Sequence, residues 1–338
     1  MFDPPFAGWT AWALTTGEAG MRTQARGLAS AVAGHVEEKV VRLAPLWRRA
    51  PARTPFLLRG LAPGSDALEP PWPDLVVTCG RRAAAVGLAL KARSHGLIKL
   101  VHVQDPQTSP RGFDMVVAMP HDRVSGPNVL RVATALHDVR PGRLAAAARL
   151  WAPRFADLPR PYVGVLLGGS TAKVEFGIEE AHRLQEGLTR LRARTGGALL
   201  IVPSRRTPEA VARYFEVVAR MDQGVWVWPG EGDNPYLGVL ALADRLVVTA
   251  DSISMVSEAL ATEAPVEIFL PPLGGRHARF VRGLVERGLA RPFDGELATS
   301  NTRPAVDATA EAAHAVRELL SLERVRRKWK PVSPPDAL

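Results

Sequence analysis

The chain predicts an α/β protein made of two doubly wound domains, and three observations carry that prediction. Short apolar runs of strand length recur along it, helical segments separate them, and the alternation stops and restarts once near the middle. Its 338 residues exceed what one core usually organises, so two domains of roughly 150 residues each are expected. Hydrophobic residues at 46% and charged residues at 23% are ordinary globular values and exclude a disordered chain.

In order, TAWALT is the first strand, TGEAGM a glycine-bearing turn, RTQARGLASAVAG a helix and EKVVRL the next strand. A loop rich in Pro and Arg fills residues 45–73. Strand DLVVTC, helix RRAAAVGLALKARSHG and strands KLVHVQD and DMVVAM follow. Runs this short and this apolar suit a parallel sheet buried on both faces. WAPRFADLPRP reads as the connection, which puts the boundary near residue 155. The pattern then resumes with strand YVGVLLGG, helix IEEAHRLQEGLTRLRART, strand GALLIVPS, helix TPEAVARYFEVVAR, strand GVWVWPG and helix LGVLALAD. The expected division is 1–155 and 156–310, with a C-terminal helix over 311–338 that crosses back to the first domain or lies on a membrane. Ligands of such sheets bind at the carboxyl ends of the strands, and two such edges facing across a cleft would form the site.

The richest unit is residues 243–269, ADRLVVTADSISMVSEALATEAPVEIF, a complete strand, turn, helix and strand. Asp251, Ser252, Ser254 and Met255 fall at the strand end and helix start, where free N–H groups and the helix dipole attract phosphate. Glu258 lies four residues after Ser254, about one turn along the same face, where its carboxylate would accept from two ribose hydroxyls. The same letters also describe an ordinary capped helix. Gly168, Gly169, Ser170 and Thr171 end an earlier strand and offer close backbone approach with hydroxyls; GGST matches neither a Walker loop nor the dinucleotide fingerprint. Ser204, Arg205 and Arg206 end another strand, where a guanidinium suits a diphosphate. Asn234, in GEGDNPY, is a plausible cap at the next turn.

In the first half, Glu18 sits between glycines in the first strand-to-helix turn, as a general base would or as a simple partner of the helix dipole. His102 and Asp105 end a later strand and are alternative bases, with His102 and Gln104 on one face and Asp105 opposite. His121 and Asp122 lie in a polar loop. There is no H-E-x-x-H and no D-x-D pair at a strand end, so no metal and no cofactor are expected beyond a nucleotide-sugar substrate.

Cys79 stands alone, which excludes an internal disulfide framework and suits a reducing compartment. The N-terminus lacks a basic n-region, and no apolar run approaches the ~20 residues of a membrane span; a cytoplasmic location is expected. The net charge of +9 is concentrated in Arg42, Arg48, Arg49, Arg53 and Arg59 with Trp47 and Phe56, and in Arg324, Arg326, Arg327, Lys328 and Lys330 with Trp329. Such stretches suit an anionic membrane surface, at roughly 1 kcal/mol per basic residue, or a plain solvated face. Nucleic acid favours the same charge but is not expected as a partner.

The runs TTGEAGMRTQARGLA, TCGRRAAAVGLALK, HVQDPQ, PHDRVSGPNVL, GGST, DNPY and ADRLVVTADSISMVSEALATEAPV together resemble the bacterial branch of the mitochondrial-fission ELM family. That family in turn resembles glycosyltransferases of the GT-B fold, two facing Rossmann-like domains with a cleft and the nucleotide-sugar held mainly by the second. The helix start with Ser252, Ser254, Glu258 and Pro265 is similar to that of the peptidoglycan N-acetylglucosaminyltransferase. This implies ribose binding by Glu258, phosphate contacts from Ser252, Gly169 and Ser170, and a UDP-sugar as the favoured donor. TTGEAG resembles the glycine-glutamate turn of the lipid A Kdo transferases, which implies Glu18 as base. The first turn lacks the double-glycine-histidine pattern of the peptidoglycan enzyme. The resulting expectation is a metal-independent inverting glycosyltransferase, peripheral to the inner membrane, with a lipid-linked acceptor. A nucleotide-sugar 2-epimerase and a non-catalytic scaffold are the competing readings.

Overall fold

The computed structural model describes residues 6, 8–47, 51, 54, 57–170, 176–269, 275–296 and 303–328. The chain divides into two compact units, one of residues 1–132 with 308–338 and the other of residues 133–307.

In the first unit β1 (Thr10–Thr15), α1 (Ala19–Val32), β2 (His35–Val40), β3 (Leu75–Cys79), α2 (Arg81–Arg93), β4 (Lys99–Val103), β5 (Met115–Ala118) and β6 (Val129–Arg131) follow in order. Their strands form one six-stranded sheet in the order β2-β1-β3-β4-β5-β6, and every pairing is parallel. All five residues of β3 are buried, because helices cover both faces of a parallel sheet. The Ala-rich helix α2 sets Ala83, Ala84 and Val86 against Trp12, Leu14, Val76 and Leu100. α1 packs on β1 and β3, and α9 (Ala308–Lys328) packs on α1.

The second unit opens with α3 (Pro141–Trp151) and continues through β7 (Tyr162–Leu167), α4 (Ile178–Thr195), β8 (Ala198–Pro203), α5 (Glu209–Met221) and β9 (Val225–Val227). It ends with α6 (Tyr236–Leu242), β10 (Arg245–Thr249), α7 (Ile253–Leu260), β11 (Val266–Phe269), α8 (Gly275–Glu286) and β12 (Arg291–Pro292). Its sheet is also six-stranded, in the order β12-β11-β10-β7-β8-β9. α4 and α5 bury Leu184, Leu188, Val211 and Phe215 on the face of Val163, Val165 and Ile201. On the other face, a Cβ at Gly164 would come within 2.6 Å of Val239 from α6, so this glycine is what lets α6 lie close on the strand.

The boundary expected near residue 155 falls between Val132 and Ala133. The residues read as a connection are core of the second unit. Trp151 stacks on Phe155 at 5.5 Å between ring centroids, and Phe155 meets Trp226 edge-on at 5.1 Å. The Tyr162 hydroxyl donates to the Phe155 carbonyl at 2.6 Å. Among the described residues no helix is long and apolar enough to cross a membrane.

Candidate functional site

The carboxyl edge of the second sheet is organised by Asp251, in the short passage between the end of β10 and the start of α7. Its carboxylate is 1% exposed and accepts from the Arg206 guanidinium at 2.9 Å. It also accepts the Gly169 N–H at 3.0 Å and the Thr249 hydroxyl at 2.7 Å. Such donors hold a buried carboxylate charged at a place where isolation would expel the charge. The Gly168 N–H donates to Thr249 Oγ1 at 2.7 Å. The Thr207 hydroxyl reaches the Gly168 carbonyl at 2.6 Å and accepts the Ser204 N–H at 2.8 Å. The ends of β7, β8 and β10 are thereby tied into one rigid edge. Glycine is required in it, since a Cβ at 168 would stand 2.0 Å from Asp251 Oδ1 and one at 169 would stand 1.8 Å from the Arg206 carbonyl oxygen.

This corrects the roles expected of several residues. The N–H groups of Gly168 and Gly169 are satisfied within the protein, and the Asp251 carboxylate is the lock of the edge, not a group presented to a ligand. The guanidinium aimed at the lock belongs to Arg206, whereas Arg205 is exposed. Ser204 is bound to Thr207 through its N–H and its hydroxyl, the latter at 3.2 Å. Ser170 is exposed and its Oγ accepts the Phe176 N–H at 3.1 Å. Thr171 lies outside the described residues. Asn234 is exposed, and its Oδ1 accepts the Tyr236 N–H at 2.9 Å, which sets the first turn of α6.

α7 is fixed at both ends and in its middle. Ser252 is its N-cap, with Oγ accepting the Met255 N–H at 3.3 Å. Ser254 is half-buried beside it, and the Met255 side chain is buried. The Ser257 hydroxyl donates to the Ile253 carbonyl at 2.7 Å and accepts the Ala135 N–H at 3.0 Å. At the far end the Arg303 guanidinium donates to the carbonyls of Leu260 at 2.9 Å, Ala264 at 3.1 Å and Ala259 at 3.3 Å. Burial lowers Arg303 to about 10.

Glu258 therefore projects from a rigid helix. It is half-buried, and its Oε2 accepts the hydroxyl of Tyr236, the first residue of α6. Burial raises its carboxyl to about 7; Asp138 pushes the same way, while the Tyr236 bond and Arg143 oppose them. The Tyr236 phenol is itself raised well above its ordinary value, by burial and then by the neighbouring Glu258. Asp138, just ahead of α3, is 7% exposed at its side chain, is paired with Arg143 and lies 3.1 Å from Arg140 Nε. The first residue of α6, Tyr236, thus meets Glu258 in the second half of α7, and Asp138 and Arg143 at the start of α3 act on the same carboxyl. Tyr236, Asp138 and Arg143 were not singled out by spacing. The signal for Tyr236 was its place at a helix start in DNPY, in a chain with only 3 tyrosines.

The corresponding edge of the first sheet is built differently. Glu18 is the N-cap residue of α1, is exposed, and accepts the Thr16 hydroxyl at 2.6 Å. Gly17 before it has φ of +101°, a left-handed turn that glycine adopts without strain. Asp105 is half-buried, and its Oδ1 accepts the Gln107 N–H at 2.8 Å. His102, expected as an alternative base, is 0% exposed. Its Nδ1 pairs with Thr78 Oγ1 at 2.8 Å, its ring lies 5.3 Å from that of Phe113, and burial lowers it to about 3. It is a neutral core histidine, out of reach of a ligand. The Cys79 thiol is pushed up by burial and then by Glu18 and Asp122.

Comparison with known proteins places this architecture. The family profile described as "Mitochondrial fission ELM1" matches residues 19–320. The mitochondrial fission protein ELM1 of Arabidopsis thaliana is 31% identical over 279 residues, covering 74% of this chain and 64% of the plant protein. The chain thus spans less than two thirds of that relative's length. Among solved structures, one from Listeria monocytogenes assigned as a UDP-N-acetylglucosamine 2-epimerase is similar at a TM-score of 0.53. Its identity is 11%, with 97% of this chain and 99% of that one covered. The UDP-GlcNAc 2-epimerase of Methanocaldococcus jannaschii gives a TM-score of 0.49 at 13% identity, with 92% and 99% covered. The fold is α/β with two parallel six-stranded sheets, as in GT-B proteins. On the extent of the family match, the chain belongs to the mitochondrial fission ELM1 family.

Proposed function

We propose that the second unit binds a nucleotide-sugar, UDP-sugar first among them, and that the protein transfers the sugar to an acceptor hydroxyl with inversion at the anomeric carbon. The observation that carries this reading is Glu258, a carboxylate held by Tyr236 on a helix that starts at a strand's carboxyl end. Glu258 would accept from the ribose hydroxyls, while the first turn of α7, at Ser252 and Ser254, faces the diphosphate with its N–H groups and dipole. Arg206, 46% exposed at its side chain, would meet the departing diphosphate, and Arg205 beside it stays available for the same charge.

In this reading Glu18 deprotonates the acceptor. It is the exposed carboxylate at the first strand's end, and the Thr16 hydroxyl orients it. Asp105 is the alternative base. The acceptor would be lipid-linked at the inner face of a membrane, with the enzyme held there by basic residues. Exposed Arg42 and Arg59 near Leu46, which is 88% exposed, support that placement. Arg48, Arg49, Arg53, Phe56, Trp329 and Lys330 lie outside the described residues.

The test is a thermal-shift screen against UDP, GDP, CMP and dTDP and their sugars, with Glu258→Ala as control. A rise in midpoint selective for one nucleotide and lost in Glu258→Ala is the expected result. A nucleotide-sugar 2-epimerase is the second reading, favoured by the fold likeness to the Listeria protein. It would consume the donor without any acceptor and change its stereochemistry. No shift with any nucleotide, in a folded protein, would move the weight to a non-catalytic scaffold.

A further inference from the structure

The bond between Tyr236 and Glu258 has a direction, and the direction limits what each group can offer a ligand. The phenolic hydrogen points at Glu258 Oε2. A phenol has one hydrogen, so the Tyr236 oxygen, once committed in this way, is left only with lone pairs. Glu258 Oε1 makes no bond to a described residue, and Glu258 keeps accessible surface. The pair therefore sets two acceptors side by side on two different side chains: carboxylate Oε1 and phenol Oη.

Neither group is free to swing away. Tyr236 is locked by the Asn234 turn at its N–H and by its position as first residue of α6. α6 packs on α3, and α7 is held by Ser252, Ser257 and Arg303. Arg143 and Asp138, which both act on the Glu258 carboxyl, are paired with each other.

Two fixed, adjacent acceptors with no donor between them among the described residues fit two adjacent hydroxyl groups. We propose that Tyr236 and Glu258 act together as the reader of a vicinal diol, the 3′-hydroxyl donating to Glu258 Oε1 and the 2′-hydroxyl to Tyr236 Oη, and that Tyr236 thereby decides for ribose over deoxyribose. This inference rests on the nucleotide-sugar reading. It adds that the carboxylate alone does not take both hydroxyls, and that the ligand class is a ribonucleoside diphosphate sugar carrying a free 2′,3′-diol. Protonated Glu258 would no longer accept the phenolic hydrogen in the same way, so the reader works in the carboxylate form. The charged groups around it are Asp138, Arg140 and Arg143 near the start of α3 and Tyr236 on α6.

The experiment measures binding of UDP, or of whichever nucleotide the screen selects, and of its 2′-deoxy counterpart to wild type and Tyr236→Phe. Affinities are read by calorimetry at pH 8.5. A hydrogen bond between neutral groups is worth about 0.5–1.5 kcal/mol net, so wild type should prefer the ribonucleotide by about twofold to tenfold. In Tyr236→Phe that preference should disappear, with deoxynucleotide affinity nearly unchanged because the diphosphate contacts remain. An unchanged ribo-to-deoxy ratio in Tyr236→Phe would overturn the diol reader while leaving nucleotide binding intact. Equal loss of affinity for both nucleotides would also overturn it and make Tyr236 a packing residue. Absence of binding by wild type would instead sink the functional reading itself. A third measurement keeps the two apart: the 13C titration of the Glu258 carboxyl, assigned with Glu258→Gln, must move upward in Tyr236→Phe without any nucleotide if the phenol donates to it.

Discussion

The two sheets have the same number of strands and the same parallel pairing, yet their carboxyl edges are built on opposite plans. In the second unit the edge is locked: the buried Asp251 takes donors from β7, β10 and the loop after β8, and α7 is held from its cap to its last carbonyls. In the first unit the corresponding polar residues divide into an exposed set and a sealed one. Glu18 is exposed and touched by Thr16, while His102 and Cys79 are sealed in the sheet. The difference teaches that polar residues at a strand end can serve the fold or a ligand, and that burial separates the two roles. The locked edge suits reading a ligand of fixed shape; the open one suits a group that must meet varied or incoming partners.

The sharpest way to break the comparison is to put a methyl group into the lock. Gly169→Ala places a Cβ against the Arg206 carbonyl oxygen at 1.8 Å, and such overpacking should cost about 3 kcal/mol. The expected result is a large fall in thermal midpoint, with Gly17→Ala, at the open edge, costing about 1 kcal/mol through its left-handed turn. Equal effects at the two sites would show that the edges are not differently built.

Titration sharpens it next, through one buried group with a displaced equilibrium in each unit, His102 in the first and Glu258 in the second. His102 is lowered to about 3 by burial, so the folded state binds its proton less readily than the unfolded chain. The stability this contributes is full above about pH 6.5 and is lost as pH falls toward 3. His102→Asn should flatten that acid limb in a plot of thermal midpoint against pH. Glu258 is raised to about 7, by burial first, and the sign reverses. Its contribution is full below about pH 4.5 and is lost as pH rises through 7. Glu258→Gln should therefore gain on wild type between pH 5 and 8, by no more than about 3 kcal/mol. A wild-type curve that stays flat across that window would remove the buried carboxylate from the account.

The smallest expected effect on stability comes from Glu18→Gln. An exposed residue bonded to one hydroxyl should change folding by less than about 0.5 kcal/mol. If the proposed transferase reading holds, the same variant keeps donor binding and loses turnover, the opposite profile to Gly169→Ala. A fully active Glu18→Gln protein would remove Glu18 from the mechanism.

The repeated strand-helix rhythm was legible in the chain because parallel strands buried on both faces must be short and apolar, as in LVVTC and YVGVLL. α3 was not foreseen. Its sequence PGRLAAAARLW buries only Trp151 and carries little apolar periodicity, and the Pro-rich residues after it read as a connection. β6 was hidden for a similar reason, being three residues long inside a polar loop. At the candidate site, spacing placed these residues at strand ends but did not give the direction of each side chain. Asp251 and Glu258 look alike as letters, yet the first faces a glycine N–H and the second a tyrosine 22 residues earlier. That partner is invisible to any local pattern, since the turn that brings α6 to α7 passes through β10.

The placement of α9 bears on how the protein is made. The chain leaves the first unit at residue 132 and returns to it at 308, so the second unit is an insertion within the first. Synthesis runs from the N-terminus, and the ribosome therefore completes the inserted unit before it has made the helix that packs on α1. Until Ala312, Ala313, Val316 and Leu320 arrive, each of them buried in the finished protein, the first unit waits unfinished with α1 uncovered. The earliest residues to be translated are thus among the last to be enclosed, and premature termination before residue 308 would leave a whole second unit attached to an incomplete first one.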